Sequence, residues 1–212
     1  MFMYKLFVGY DSNRPEIFEA CERSIRKYSD IEVNKISTTL LPESCWWRER
    51  SEKENTEFSI CRFLIPFLSD YEGISLFMDD DFIVTCDPAE VVELFDEQYD
   101  VQVVQHDYVP KKETKWLTMR NHPYDKKNWS SMMLFNNAKC KILSPFRVNV
   151  SPGLYLHQFD WAEKVGALPR EYNHLVGEYK ERPAKFYHFT NGIDYPLWNE
   201  LNDYRRHKSK IS

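Results

Sequence analysis

Asp79, Asp80 and Asp81 stand side by side after an apolar run, Ile74-Ser75-Leu76-Phe77-Met78, and a second run, Phe82-Ile83-Val84, follows at once. Three adjacent carboxylates repel one another, so the fold must bring them a counter-charge or leave them solvated. Two positions apart in extended chain, Asp79 and Asp81 point to the same side. Oxygen ligands so placed suit a hard divalent cation that keeps positions open for a phosphate-bearing ligand. An acidic turn after a strand is the plainer alternative. The carboxyl ends of strands in an open α/β sheet are where ligands bind, which favours the cation.

The elements that must position these residues read as follows. Tyr4 to Tyr10 is a strand containing Gly9, and Asp11-Ser12-Asn13-Arg14-Pro15 supplies a loop, a cap and a proline suited to a first helical turn. Ile17, Phe18, Ala20, Cys21, Ser24 and Ile25 recur at helical spacing. Ile31 to Ile36 is a short strand, Leu41 to Asn55 a tryptophan-rich mobile excursion, and Thr56 to Leu68 a helix that ends or kinks at Pro66. Beyond the aspartates come a helix from Ala89 to Phe95, a strand over Val101–Val104, a polar irregular stretch from Val109 to Lys127 and a strand over Ser130–Asn136. A helix from Leu154 to Val165, a loop or edge strand over Leu168–Asn173 and a late strand at Phe186–Phe189 complete the order. Strands alternating with helices predict an α/β fold: a mainly parallel sheet with helices on both faces.

A length of 212 residues suits one domain, and a net charge of −5 argues against a nucleic-acid surface. Aromatic residues make up 16%, enough to line a sugar or base site as well as the core. The five cysteines show no CxxC spacing, so neither a disulfide framework nor a zinc site is expected, and the odd count fits a reducing compartment. With no signal peptide and no apolar run long enough to span a bilayer, a soluble cytoplasmic protein is expected. The basic run from Arg205 to Lys210 reads as a solvated tail, with peripheral membrane contact as the alternative.

Five stretches, in order, resemble the GT-A glycosyltransferases, and within them the retaining family 8 enzymes that include glycogenin and the lipopolysaccharide galactosyltransferases. They are Phe7-Val8-Gly9-Tyr10-Asp11; Arg62-Phe63-Leu64-Ile65-Pro66; Leu76 to Val84 with its Asp-x-Asp; Asn128-Trp129-Ser130-Ser131 to Asn136; and His188-Phe189-Thr190-Asn191-Gly192 with Pro196 and Trp198 behind. Gln158, then Leu168-Pro169 and Tyr172-Asn173, keep the family's order between the last two. Three positions depart from the pattern: His157 stands for an aspartate, Met132 for a glycine, and Tyr195, before Pro196, for a diphosphate-binding lysine. Phosphate charge would then be met by Arg14, Arg62 or a lysine between Lys111 and Lys127.

The resemblance implies a metal-dependent transfer of a hexose from a UDP-sugar, with retention, to a glycan, lipid-linked or protein acceptor. The metal ligands would be Asp79, Asp81 and His188; an imidazole among carboxylates suits Mn2+ better than Mg2+. Gly9, Tyr10, Asp11, Arg14, Arg62 and Asp80 would serve the nucleotide, Tyr10 by stacking on uracil; a plain capping role for Asp11 and a structural salt bridge for Arg62 stay open. Asn128, Trp129, Ser131 and His157 would contact sugar or acceptor, with core positions for Trp129 and His157 as alternatives. Asp107 and Gln158 are the candidates for catalysis at the donor sugar. The nucleotide half would span about 1–100, the sugar half about 101–200 and the basic tail 203–212.

Three other classes compete. A non-catalytic nucleotide-sugar-binding scaffold would keep the acidic cluster for folding. An Asp-nucleophile phosphatase also opens with Asp-x-Asp after a strand, but Asp81-Phe82-Ile83 fits its pattern poorly. A nucleotidyltransferase would carry a glycine-rich basic loop where Asp11-Ser12-Asn13-Arg14 stands.

Overall fold

The structure is a computed structural model and describes residues 3–52, 54–107, 114–115, 119–120, 125–180 and 183–202. The run of basic residues from Arg205 to Lys210 and the lysines at 111 and 112 lie outside the described residues.

Strand β1 (Tyr4–Gly9) leads into helix α1 (Pro15–Arg26), then β2 (Val33–Ile36), helix α2 (Ile65–Leu68), β3 (Ile74–Met78), β4 (Phe82–Val84), α3 (Ala89–Val92) and β5 (Val101–Val103). After a small ribbon of β6 (Thr114–Lys115) and β7 (Met119–Arg120) come β8 (Met132–Asn136), α4 (Pro145–Val150), α5 (Gly153–His157), β9 (Val165–Ala167), β10 (His174–Leu175), β11 (Phe186–His188) and α6 (Pro196–Asn202). Six strands pair in the order β2-β1-β3-β8-β5-β9. Strands β2, β1, β3, β5 and β9 run one way and β8 alone is reversed.

The period-two alternation of the strands sorts the core onto both faces of this sheet. Leu6, Val8, Leu76, Met78 and Leu134 meet Phe18, Cys21 and Ile25 of α1 and Val91 and Val92 of α3. On the opposite face Phe7, Phe77, Met133 and Phe135 meet Phe63, Leu64 and Ile65, Val148 of α4 and Leu156 of α5. Helices on both faces are therefore found as expected. Helix α1 starts at a proline, has Glu16 in its first turn and Arg23 and Arg26 in its last, charges that complement its dipole.

A second sheet, β10-β11-β4, is seeded by the aspartates themselves. Strand β3 ends at Met78, and after three residues the chain re-enters extended structure as β4, antiparallel to β11 with Phe82 opposite His188.

Four local expectations are corrected. The helix read over Thr56–Leu68 is a set of turns and a 3-10 turn at Cys61–Leu64, with α proper only from Ile65, because Pro66 belongs to its first turn. The helix read over Leu154–Val165 stops at His157; Phe159 takes φ of 59° and Val165–Ala167 becomes edge strand β9. The 41–55 excursion is fastened: Asn149 Oδ1 accepts from the amides of Trp47 and Arg48, and Trp46 is buried. The stretch read as irregular after Val109 contains the β6–β7 ribbon.

Candidate active site

A cleft of about 900 Å3 opens at the carboxyl end of β3. Asp79, Asp80 and Asp81 form part of its wall, with Arg14, Arg62, Asn128, Ser131, His157 and His188. Two unlike chain geometries bring the acidic residues and His188 together. Asp79 still belongs to the large sheet, its amide donating to the Ser131 carbonyl at 2.8 Å, whereas the Asp81 carbonyl accepts from Phe189 in the small sheet at 2.9 Å. One carboxylate oxygen from each of Asp79 and Asp81 and one nitrogen of His188 lie within 4.8 Å of one another.

Arg62 supplies counter-charge to the three aspartates. Its Nη1 donates to Asp79 Oδ1 at 2.6 Å and to the Ser130 carbonyl at 2.9 Å, and its Nε donates to the Phe58 carbonyl at 3.2 Å. The guanidinium also stacks between Phe58 and Phe77, 5.1 and 4.9 Å from their ring centres. Asp80 is only 2% exposed, and its Oδ2 is buried with no hydrogen-bond partner among the described residues. Burial first, then Asp81, pushes its carboxyl well above the usual carboxylate range, while Arg14 pulls it back.

A chain of polar contacts fixes His188. The Ser131 hydroxyl donates to the Asn128 carbonyl at 2.6 Å, so it accepts from Asn173 Nδ2 at 2.9 Å. Asn173 Oδ1 therefore faces His188 Nδ1 at 2.9 Å, and as an amide oxygen it can only accept. The imidazole proton sits on Nδ1, and the ring is held flat on Phe82, 4.4 Å between centres. Nε2 is left turned to Asp81 Oδ1 at 3.2 Å. A lone pair and a carboxylate that close repel unless a proton or a cation lies between them. Two carboxylates and an imidazole nitrogen are a donor set that fits a divalent metal ion.

The other expected residues fall into two groups. Asn128, Ser131 and His157 border the cleft with Asp80, Arg14 and Arg62. His157 pairs with the Ser130 hydroxyl at 2.7 Å and lies edge-on to Phe63. Gly9, Tyr10, Asp11, Trp129, Asp107 and Gln158 are not among the residues that border it. Gly9 lies under Phe58, where a Cβ would come within 2.6 Å of the ring. Tyr10 packs edge-on to Phe18 with Lys35 Nζ over its face at 4.4 Å. Asp11 closes its loop by accepting from the amide of Asn13 and lies 3.6 Å from Arg14. Trp129 packs on the core and donates to the His106 carbonyl at 2.9 Å. Asp107 is exposed, and the Gln158 carbonyl accepts from Lys126 at 2.5 Å.

Two residues take supporting roles that the sequence did not assign to them, although Asn173 stands in the family's ordered set. Asn173 orients His188, and buried Glu57 accepts from the amide and hydroxyl of Ser12 and from the Ser37 hydroxyl, pinning the loop that carries Arg14. A carboxylate in a polar stretch and an asparagine after a tyrosine acquire these roles only through contacts distant in sequence.

No family model matches the sequence. Protein CDI of Arabidopsis thaliana is 38% identical over 231 residues, covering 98% of this chain and 89% of that protein. The chain belongs to the Protein CDI family. Solved structures add the fold of this CDI relative. The apo form of the glycosyltransferase GlyE of Streptococcus pneumoniae matches 94% of the chain with a TM-score of 0.59 at 14% identity. The chain spans 60% of the length of GlyE. The galactosyltransferase LgtC, in complex with donor and acceptor sugar analogues, gives 0.58 at 12% identity over 94% of this chain and 95% of that one. Mouse xyloside xylosyltransferase 1 gives 0.57 at 11% identity over 90% and 99%. At such identities the likeness carries the fold, which is that of the GT-A glycosyltransferases. Among the described residues of the CDI relative, no helix is long and apolar enough to cross a membrane.

Proposed function

We propose that the protein is a metal-dependent glycosyltransferase that takes a hexose from a UDP-sugar, with the retaining chemistry of family 8 as the closer reading. The observation that carries the proposal is the convergence of one oxygen each of Asp79 and Asp81 and one nitrogen of His188 within 4.8 Å of one another at the wall of the cleft. Asp79, Asp81 and His188 would hold Mn2+ or Mg2+, which when bound supplies positive charge to a departing diphosphate. Arg62 keeps the Asp79 carboxylate aimed, and Asn173 keeps the proton of His188 on Nδ1. Arg14, at the start of α1, faces the same wall with the helix dipole behind it. Asn128, Ser131 and His157 offer fixed polar groups to the sugar. The acceptor would be a glycan, a lipid-linked saccharide or a protein.

Asp107 and Gln158 do not border the cleft, and their assignment as catalytic has its own test. Loss of kcat in Asp107→Ala or Gln158→Ala with UDP affinity kept would support them; equal loss of affinity would move them to the nucleotide.

The primary test is thermal stability with UDP, GDP and CMP, each with and without Mn2+, because a ligand of the native state raises the melting temperature. A rise with UDP that requires Mn2+ and disappears in Asp81→Ala supports the proposal. No rise with any nucleotide overturns it. Release of hexose from UDP-sugars then separates an enzyme from a binding scaffold.

A further inference from the structure

Nine large apolar side chains stand exposed among the described residues, and five of them gather in one place. Ile142, Phe146, Val150 and Leu154 recur every four residues, from just before α4 into the first turn of α5, each between 41% and 67% exposed. Half-exposed Trp47 is tied to the same helix: Asn149 Oδ1 accepts from its amide at 2.9 Å, and Arg48 donates to the Ser151 carbonyl at 2.6 Å. Helix α4 already gives its inner face to the core through Val148. Phe146 and Val150, one turn apart, make its outer face apolar as well. A single exposed apolar residue is ordinary, whereas a contiguous group marks a surface that something covers.

This ridge is continuous with the cleft. Leu154 belongs to both, since it borders the cleft with Pro152 and Gly153, and Val150 stands just before that lip. Neither residue of the lip carries a long polar side chain, so a ligand that leaves the cleft over it meets apolar surface. From 139 to 154 the chain has Lys139, Lys141 and Arg147 and no acidic residue, in a protein of net charge −5. Five part-exposed side chains offer on the order of 500 Å2, against the roughly 800 Å2 that each partner of a stable protein pair gives up. That area suits one alkyl chain better than a second protein. We infer that the ridge holds the alkyl chain of a lipid-linked saccharide acceptor whose sugar end enters the cleft. This rests on the glycosyl-transfer reading above and selects one among the acceptors it leaves open.

The experiment titrates methyl, hexyl and octyl β-D-glucopyranoside and β-D-galactopyranoside, below their micelle concentrations, into the protein with UDP and MnCl2, read by ligand-observed NMR. A fully covered methylene is worth about fourfold in affinity, so an octyl glycoside should bind about tenfold or more tighter than its methyl counterpart. The double variant Phe146→Ser/Val150→Ser should lose that gain while binding UDP with Mn2+ as the wild type does. Trp47→Ser serves the same purpose if the double variant does not fold. If chain length makes no difference, or the gain persists in the folded variants, the inference falls and the parent reading stands. Two further results overturn it. Wild type that sediments with phosphatidylcholine–phosphatidylserine vesicles without glycoside, where the variant does not, makes the ridge a membrane contact. A wild-type dimer that the variant splits in sedimentation velocity makes it an interface between copies. If the wild type does not bind UDP, the parent reading falls and takes this one with it.

Discussion

Asn173 Oδ1 lies 2.9 Å from His188 Nδ1, and that contact decides which imidazole nitrogen faces Asp81. The amide has no freedom to turn, because its nitrogen is spent on a Ser131 hydroxyl whose own proton goes to Asn128. A serine and an asparagine distant in sequence thus set the chemistry of a histidine in the cleft.

Asn173→Ala should therefore lower Mn2+ affinity about tenfold to a hundredfold, the usual cost of removing a partner that orients a ligand. Titration of the purified protein with MnCl2 reads this directly. Affinity equal to wild type would mean that Phe82 stacking alone orients the ring.

Arg62→Ala leaves the Asp79 carboxylate and the Ser130 and Phe58 carbonyls without their donor in a largely buried setting. A loss of about 3–5 kcal/mol in urea unfolding is expected, as for breaking a buried ion pair from one side. Arg62→Lys should recover only part, since one ammonium cannot reach three acceptors and stack between two rings.

His106 gives a pH dependence with a definite sign. Burial chiefly, then the neighbouring His188 and Arg170, lowers its pKa from 6.5 to about 3, and its Nδ1 pairs with the Tyr179 hydroxyl at 2.8 Å. Between those values the unfolded chain binds the proton and the folded one does not, so stability rises with pH. The contribution is complete above about pH 6.5 and is lost as pH falls towards 3, by up to about 1.4 kcal/mol per pH unit. Urea unfolding at pH 4, 5, 6 and 7 should show a shallower slope in His106→Gln, and an unchanged slope would remove His106 as its source.

Gly9→Ala would put a methyl group against the Phe58 ring that backs Arg62. Overpacking of this kind costs about 1–3 kcal/mol. A melting temperature unchanged from wild type would show that Phe58 has room to shift.

Strand β3 and the aspartates after it were legible in the sequence because a mostly apolar run ending in carboxylates has few other readings, and the α/β class followed from alternation. Helix α1 was legible through its proline start and spaced apolar face. The helix misread after Leu154 shows what periodicity omits: Leu154, Leu156 and Trp161 are apolar at plausible spacing, yet left-handed Phe159 turns the chain, and Val165–Ala167 is too short to announce a strand. Tyr10, expected to stack on a base, packs edge-on to Phe18 with Lys35 over its face, and Trp129, for which sugar contact and core were both open, packs on the core. Asn173 stood in the family's ordered set and Glu57 in a polar stretch, but neither role could be read, since their partners are brought to them only by the folded chain.

The passage of the chain from β3 to β4 has one more consequence. Asp79 takes its last backbone bond from the large sheet and Asp81 its first from the small one, so Asp80 alone spans the joint. Anything gripped by Asp79 on one side and by Asp81 and His188 on the other acts as a clasp across that joint. Its binding should slow amide exchange along β4 and β11, and by reciprocity a substitution that loosens β11 at Phe186 should weaken binding without touching a ligand atom.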